Sequence, residues 1–133
     1  MGAYVVSQLL KTMMKRGIHI KSAKVLVMGL TFKENCPDLR NTRVVDIVDE
    51  LKEYSVTVDV YDPWVSKSDA QHEYEITPIE HPAQNTYDGI IIAVAHRQFV
   101  EMGAQTLHSL GKSEHVLYDL KYILKQEESD IRL

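Results

Sequence analysis

At 133 residues with 44% hydrophobic side chains, the chain has the length and composition of one globular domain or slightly less. Its 15 Lys+Arg against 19 Asp+Glu give a net charge of −4, which excludes bulk attraction to nucleic acid or anionic membranes and makes any anion site a local one. A single cysteine, Cys36, excludes an internal disulfide framework and fits a reducing cytoplasm, and neither a bilayer-length apolar run nor a signal-peptide pattern is present.

Val6, Leu9, Leu10, Met13 and Met14 recur at helical spacing, and Gly17 follows Lys15 and Arg16 where such a helix would stop. Its apolar stripe has two readings: packing on its own domain, or meeting a neighbour outside this sequence. Residues 24–30 form a continuous apolar run, as a strand buried on both faces requires. Val44, Ile47, Val48 and Leu51 then predict a helix, with Asn41 or Thr42 as its N-cap and Asp46 in its first turn. A second strand is predicted over 56–61, ending at Asp62-Pro63. The stretch 64–87 is weakly patterned, with 76–79 a candidate short strand and Asp88-Gly89 a predicted turn. Residues 90–95 are the strongest strand, 99–110 a helix leading to Gly111, and 116–120 a last strand. The polar tail from Gln126 is expected to fray. Strands alternating with helices predict an α/β fold: a Rossmann-like, doubly wound parallel sheet in three layers, preceded by one N-terminal helix.

In such a sheet the loops after the strand C-termini line the ligand edge. The loop after the first strand carries Lys33, Asp38 and Arg40; that after the strong strand carries His96 and Arg97; that after the last carries Lys121. Cations gathered on one rim repel unless an anion offsets them, so Lys33, Arg97 and Lys121 together point to a phosphate-bearing ligand. The opposing reading leaves each as a solvated surface cation. The dinucleotide fingerprint fails, because Gly29 is followed by Leu-Thr-Phe-Lys-Glu where further glycines are needed. Asp62 resembles a ribose-binding acid, although Asp-Pro is also a turn. Cys36 has no histidine near it in sequence and reads as an ordinary loop cysteine. The six histidines show no metal-ligand spacing, so no metal is expected. Asp38 and Arg40 read equally well as a pair that stiffens the loop.

Gly29-Leu-Thr-Phe-Lys-Glu-Asn-Cys-Pro-Asp-Leu-Arg-Asn-Thr42 resembles the signature of the C-terminal domain of the UDP-glucose/GDP-mannose dehydrogenase family. Val60-Tyr-Asp-Pro63, Ala93-Val-Ala-His-Arg-Gln-Phe99 and Tyr118-Asp-Leu-Lys121 are similar to later segments of that domain, in order. The wording is most similar to the branch that oxidises UDP-N-acetylhexosamines for bacterial surface polysaccharide. The resemblance implies that residues 1–21 are the end of a connecting, dimerising helix and 22–133 a UDP-sugar-binding domain. It also implies that a whole enzyme oxidises the sugar C6 alcohol to a carboxylate with NAD, through a thiohemiacetal on a cysteine. The NAD fingerprint, that cysteine and most acid–base groups would lie in an N-terminal domain absent here, so no catalytic residue and no bound cofactor is expected in this chain. Cys36 lies outside the nucleophile motif. By match, Phe32 and Lys33 would line the UDP-sugar site and Lys121 would present a cation to the substrate. His96-Arg97 is typical of the acetylhexosamine branch, and Asp38 and Arg40 look structural or interfacial. The implied partners are a UDP-sugar, the N-terminal NAD-binding domain and further copies of the enzyme, in the cytoplasm.

A rival reading is a stand-alone flavodoxin-like regulatory or nucleotide-binding module. Lys121 suits a phospho-receiver, but Met28-Gly-Leu-Thr31 lacks the acidic pair needed to hold magnesium. A coenzyme- or nucleotide-binding subunit of a different enzyme stays open on chemistry alone.

Overall fold

The apolar runs pair as one parallel sheet in the computed structural model, which describes residues 2–133. Its strands are β1 (Lys24–Met28), β2 (Thr57–Tyr61), β3 (Tyr87–Ile92), β4 (Gly111–Asp119) and β5 (Ile131–Arg132), in the order β2-β1-β3-β4-β5. The helices are α1 (Gly2–Lys15), α2 (Val44–Glu53), α3 (Lys67–Tyr74) and α4 (Arg97–Ser109). Alternation along each strand sorts side chains into two cores. Val25, Val27, Ile91 and Val116 pack with α1 and α2 on one face. Leu26, Met28, Ile90 and Leu117 meet Phe99 and Leu107 of α4 on the other. This is the expected three-layer, Rossmann-like arrangement.

The stripe of α1 settles on its own sheet. Val5, Val6, Leu9 and Met13 are fully buried, each contributing about 1.5–3 kcal/mol of gross apolar burial, while Tyr4 and Met14 stay exposed. Gly17 ends the helix region at φ 79°. The N-cap of α2 is Arg43, which makes no side-chain cap, one residue beyond the expected Asn41 or Thr42; the Thr42 hydroxyl accepts the Val44 N–H at 3.2 Å.

Four expectations need correction. No strand forms over 76–79; the preceding segment instead folds as α3, capped by Ser66, whose hydroxyl accepts the Asp69 N–H. Only Ala70 of that helix is buried, so it carries no apolar periodicity to read. Asp88-Gly89 is not a turn but lies inside β3. Gly89 is there because α1 crosses above it: an added Cβ would sit 3.3 Å from the Met13 sulfur and 3.4 Å from Leu9 Cδ1. The helix over 99–110 is broken at Gly103 (φ 77°, ψ 166°) into two short segments. Finally, the tail is docked. β5 pairs with Tyr118 and Asp119, Asp130 accepts the Leu117 N–H at 2.7 Å, and Arg16 holds the same carboxylate at 2.9 Å.

Candidate functional site

β1 and β3 are adjacent, but their connections leave on opposite faces of the sheet, so a crevice opens beyond their C-terminal ends. β1 stops at Met28 because Gly29 turns the backbone to φ 103°, where an added Cβ would meet Val94 Cβ at 2.6 Å. The next two amides leave the ladder and donate to one carboxylate oxygen of Asp62, from Leu30 at 2.7 Å and Thr31 at 3.1 Å. The other oxygen accepts the Trp64 N–H at 2.8 Å. Asp62 is therefore a buried hub joining the loops after β1 and β2, turned inward and away from any ribose.

His96 completes that hub. It is fully buried, with Nε2 2.9 Å from Asp62 and 3.2 Å from the Thr31 hydroxyl. Its Nδ1 accepts the Asn35 N–H at 3.0 Å, which assigns the proton to Nε2. The Asn35 side chain in turn accepts the Arg97 N–H at 2.8 Å, so three loops are tied at their base. Both ring nitrogens of His96, the residue expected to face a ligand, are thus engaged by protein groups. Arg97, the expected third cation, is not among the crevice walls. Its guanidinium lies 5.8 Å from the Trp64 ring centroid, away from the crevice that receives the other cations.

That crevice has a volume of about 470 Å³, within the range of small-molecule sites. Phe32, Lys33, Arg43, Val94, Lys121 and Leu133 are among its walls. Thr31 donates its hydroxyl to the Lys33 carbonyl at 3.0 Å, and the tight turn this makes presents Phe32, 53% exposed, at the rim. Such a ring stacks readily on a flat ligand. Lys121 is set by Asp119, a fully buried carboxylate accepting the N–H groups of Lys121, Ile123 and Leu124 at 3.1, 3.3 and 2.9 Å. Among the described residues neither Lys33 nor Lys121 has an ion-pair partner within 4.0 Å. The N-terminal turn of α2 lines the same wall and adds its partial positive charge, opposed among the lining side chains by the carboxylate of Glu34. The arrangement suits a phosphate-bearing ligand with an aromatic or apolar portion.

Two of the three expected cations thus line one crevice, and Arg43 lines it as well, with its guanidinium 4.0 Å from the Asp46 carboxylate. Arg43, Asn35 and Asp119 were missed from sequence; an Asp closing each strand run was the available signal for the two hubs. Asp38 and Arg40 stand outside the crevice as an exposed bidentate pair, at 3.0 and 3.2 Å. The Arg40 guanidinium holds the Asp38 carboxyl below the usual carboxylate range. Cys36 is a half-buried free thiol outside the crevice walls.

The profile of the UDP-glucose/GDP-mannose dehydrogenase family, UDP binding domain, matches residues 26–126. The chain belongs to this family. A UDP-N-acetyl-D-glucosamine 6-dehydrogenase of Pseudomonas aeruginosa is 67% identical over the whole chain, and one of Salmonella typhi is 52% identical. The chain spans about a third of these relatives, 32% and 31% of their lengths. A UDP-glucose dehydrogenase structure from Pyrobaculum islandicum aligns over 97% of this chain and 29% of its own, with TM-score 0.70 and 28% identity. A UDP-D-ManNAc dehydrogenase structure from Pyrococcus horikoshii, at 21% identity, covers 93% of this chain and 28% of its own with TM-score 0.73, a likeness of fold. The family's UDP-binding domain is thus identified here.

Nicotinamide dinucleotides do not fit the end of β1 in these residues. The amides that a pyrophosphate would need there, from Leu30 and Thr31, are taken by Asp62, and Gly29 is required by Val94 rather than by a phosphate. Among the described residues no helix is long and apolar enough to cross a membrane.

Proposed function

We propose that the crevice binds the UDP portion of a UDP-N-acetylhexosamine, as one part of an NAD-dependent 6-dehydrogenase that makes uronic acids for surface polysaccharide in the cytoplasm. The observation that carries this reading is the meeting of Lys33, Lys121, Arg43 and the α2 N-terminus on one wall beside the exposed Phe32 ring. In the proposed complex the ammonium groups of Lys33 and Lys121 neutralise the diphosphate and Phe32 covers the flat or apolar part of the ligand. Two relatives named for UDP-N-acetyl-D-glucosamine support that sugar as the substrate. NAD, the cysteine nucleophile and the proton-transfer groups belong, in this reading, to a partner domain N-terminal to residues 1–21, which end a connecting helix. Asp38 and Arg40 stiffen the signature loop. The exposed Tyr4 and Met14 of α1 serve contacts to a further copy or to that domain.

Without the partner domain the cleft is half a site. It buries less ligand and holds it less rigidly, so the 133-residue chain should bind UDP with a dissociation constant on the order of millimolar and show no turnover. Titration calorimetry and amide NMR with UDP, run beside NAD, test this. Shifts at Phe32, Lys33 and Lys121 with UDP alone are expected; heat with NAD and silence with UDP would overturn the reading.

A further inference from the structure

His108 and His115 lie seven positions apart in sequence, one near the end of α4 and the other inside β4, and the fold brings their rings edge to edge, tilted by 53°. His108 Nδ1 stands 2.8 Å from His115 Nε2. Each ring's other nitrogen lies against a backbone carbonyl: His108 Nε2 is 2.6 Å from the Glu128 oxygen, and His115 Nδ1 is 2.6 Å from the Lys112 oxygen. A carbonyl only accepts, so both of those nitrogens carry their protons. In the neutral rings the two facing nitrogens are therefore both lone pairs, a repulsive contact unless a cation lies between them.

Two further features make this a built arrangement. One ligand atom from each of His108, His115 and Asp130 lies within 4.8 Å of the others, and all three residues are half-buried. Gly111 sits under the His115 ring so closely that an added Cβ would meet its Cγ at 2.3 Å and Nδ1 at 2.5 Å. The glycine leaves the space that the imidazole occupies.

We propose that His108 Nδ1, His115 Nε2 and an Asp130 carboxylate oxygen form a transition-metal site of the zinc class. Imidazole donors select such ions over magnesium or calcium. A metal-bound imidazole characteristically donates its remaining N–H to a carbonyl, as both rings do here. Asp130 keeps capacity: each oxygen takes one hydrogen bond, from Arg16 and from the Leu117 N–H, and has a second lone pair free. Tetrahedral zinc with bonds of about 2.0–2.1 Å needs the nitrogens roughly 3.3 Å apart, a small opening from 2.8 Å, with solvent in the fourth position. The ion staples α4 and β4 to the segment that carries β5. That segment continues to Leu133, a wall of the nucleotide crevice, but the site stands independently of what the crevice binds.

The test is calorimetric titration of the chelator-stripped chain with Zn2+ alone, beside the visible spectrum of its Co2+ form. One equivalent of Zn2+ should bind and displace Co2+ from a tetrahedral spectrum. His115→Gln should weaken binding by at least about tenfold, the lower end of what even a supporting-group change costs. Gly111→Ala should weaken it comparably although all three ligands remain, while His72→Ala leaves it unchanged. Because a variant can misfold, ring-nitrogen NMR of the unaltered protein is the deciding readout: both facing nitrogens should shift with Zn2+. Absence of saturable binding, or a shared-proton resonance between the rings that persists at one equivalent of Zn2+, would overturn the site.

Discussion

Lys33 and Lys121 reach one crevice from the loops after β1 and β4, and neither has a carboxylate partner among the described residues. Each charge-assisted contact to phosphate is worth about 1.5–3 kcal/mol, so Lys33→Ala or Lys121→Ala should weaken UDP binding by about tenfold or more. Arg97→Ala should leave affinity unchanged, because its guanidinium lies over Trp64. Calorimetry on the three variants checks this, and an equal loss for Arg97→Ala would mean the ligand lies elsewhere. Tyr87 gives a second prediction. Burial first, and then its 2.7 Å hydrogen bond to Asp59, push its phenol well above the ordinary tyrosine range. A raised folded-state value means that stability is present below about pH 10 and lost as pH climbs further. Tyr87→Phe should cost about 1 kcal/mol at neutral pH and flatten the alkaline arm of the denaturation midpoint against pH. Asp38 has the opposite sign: its carboxyl is depressed by Arg40, so the loop contribution persists above the ordinary carboxylate range and fades only in stronger acid.

The loops after β1, β2 and β3 form one unit because Asp62 collects the amides of Leu30, Thr31 and Trp64 together with His96 Nε2. Removing that carboxylate strands the three backbone donors and leaves His96 Nε2 only the Thr31 hydroxyl, at a site with little access to water. Asp62→Ala should therefore destabilise the domain by about 3 kcal/mol or more in urea titrations. It should also raise amide exchange across residues 30–35 ahead of global unfolding. A loss below about 0.5 kcal/mol would mean the hub is not what orders the crevice wall.

β5 covers the open edge of β4 and joins α1 to the sheet through Arg16 and Asp130. Deleting residues 126–133 would bare that edge, leave the Leu117 N–H without its acceptor and remove Leu133 from the crevice. We expect about 2 kcal/mol of lost stability and increased self-association, read by thermal unfolding and sedimentation velocity. An unchanged midpoint would show the tail to be dispensable.

The architecture was legible along the chain wherever apolar periodicity was strong: the stripe of α1, the runs that became β1 and β3, and the alternation that implied a parallel sheet. Those patterns report burial, and burial is local enough for single residues to record it. Lys33 and Lys121 could be placed on the crevice for a related reason, since a strand end fixes which loop faces it, whereas Phe32 came from the family resemblance alone. Asp88-Gly89 misled because a glycine that admits a crossing helix looks the same, in one dimension, as a glycine that turns the chain. α3 went unread because a helix burying one alanine leaves no stripe. The inward turn of His96, the departure of Arg97 toward Trp64, the entry of Arg43 and the meeting of His108 with His115 depended on which loops share hydrogen bonds across tens of residues. Side-chain direction at a loop is set by such distant partners, and no local spacing encodes them.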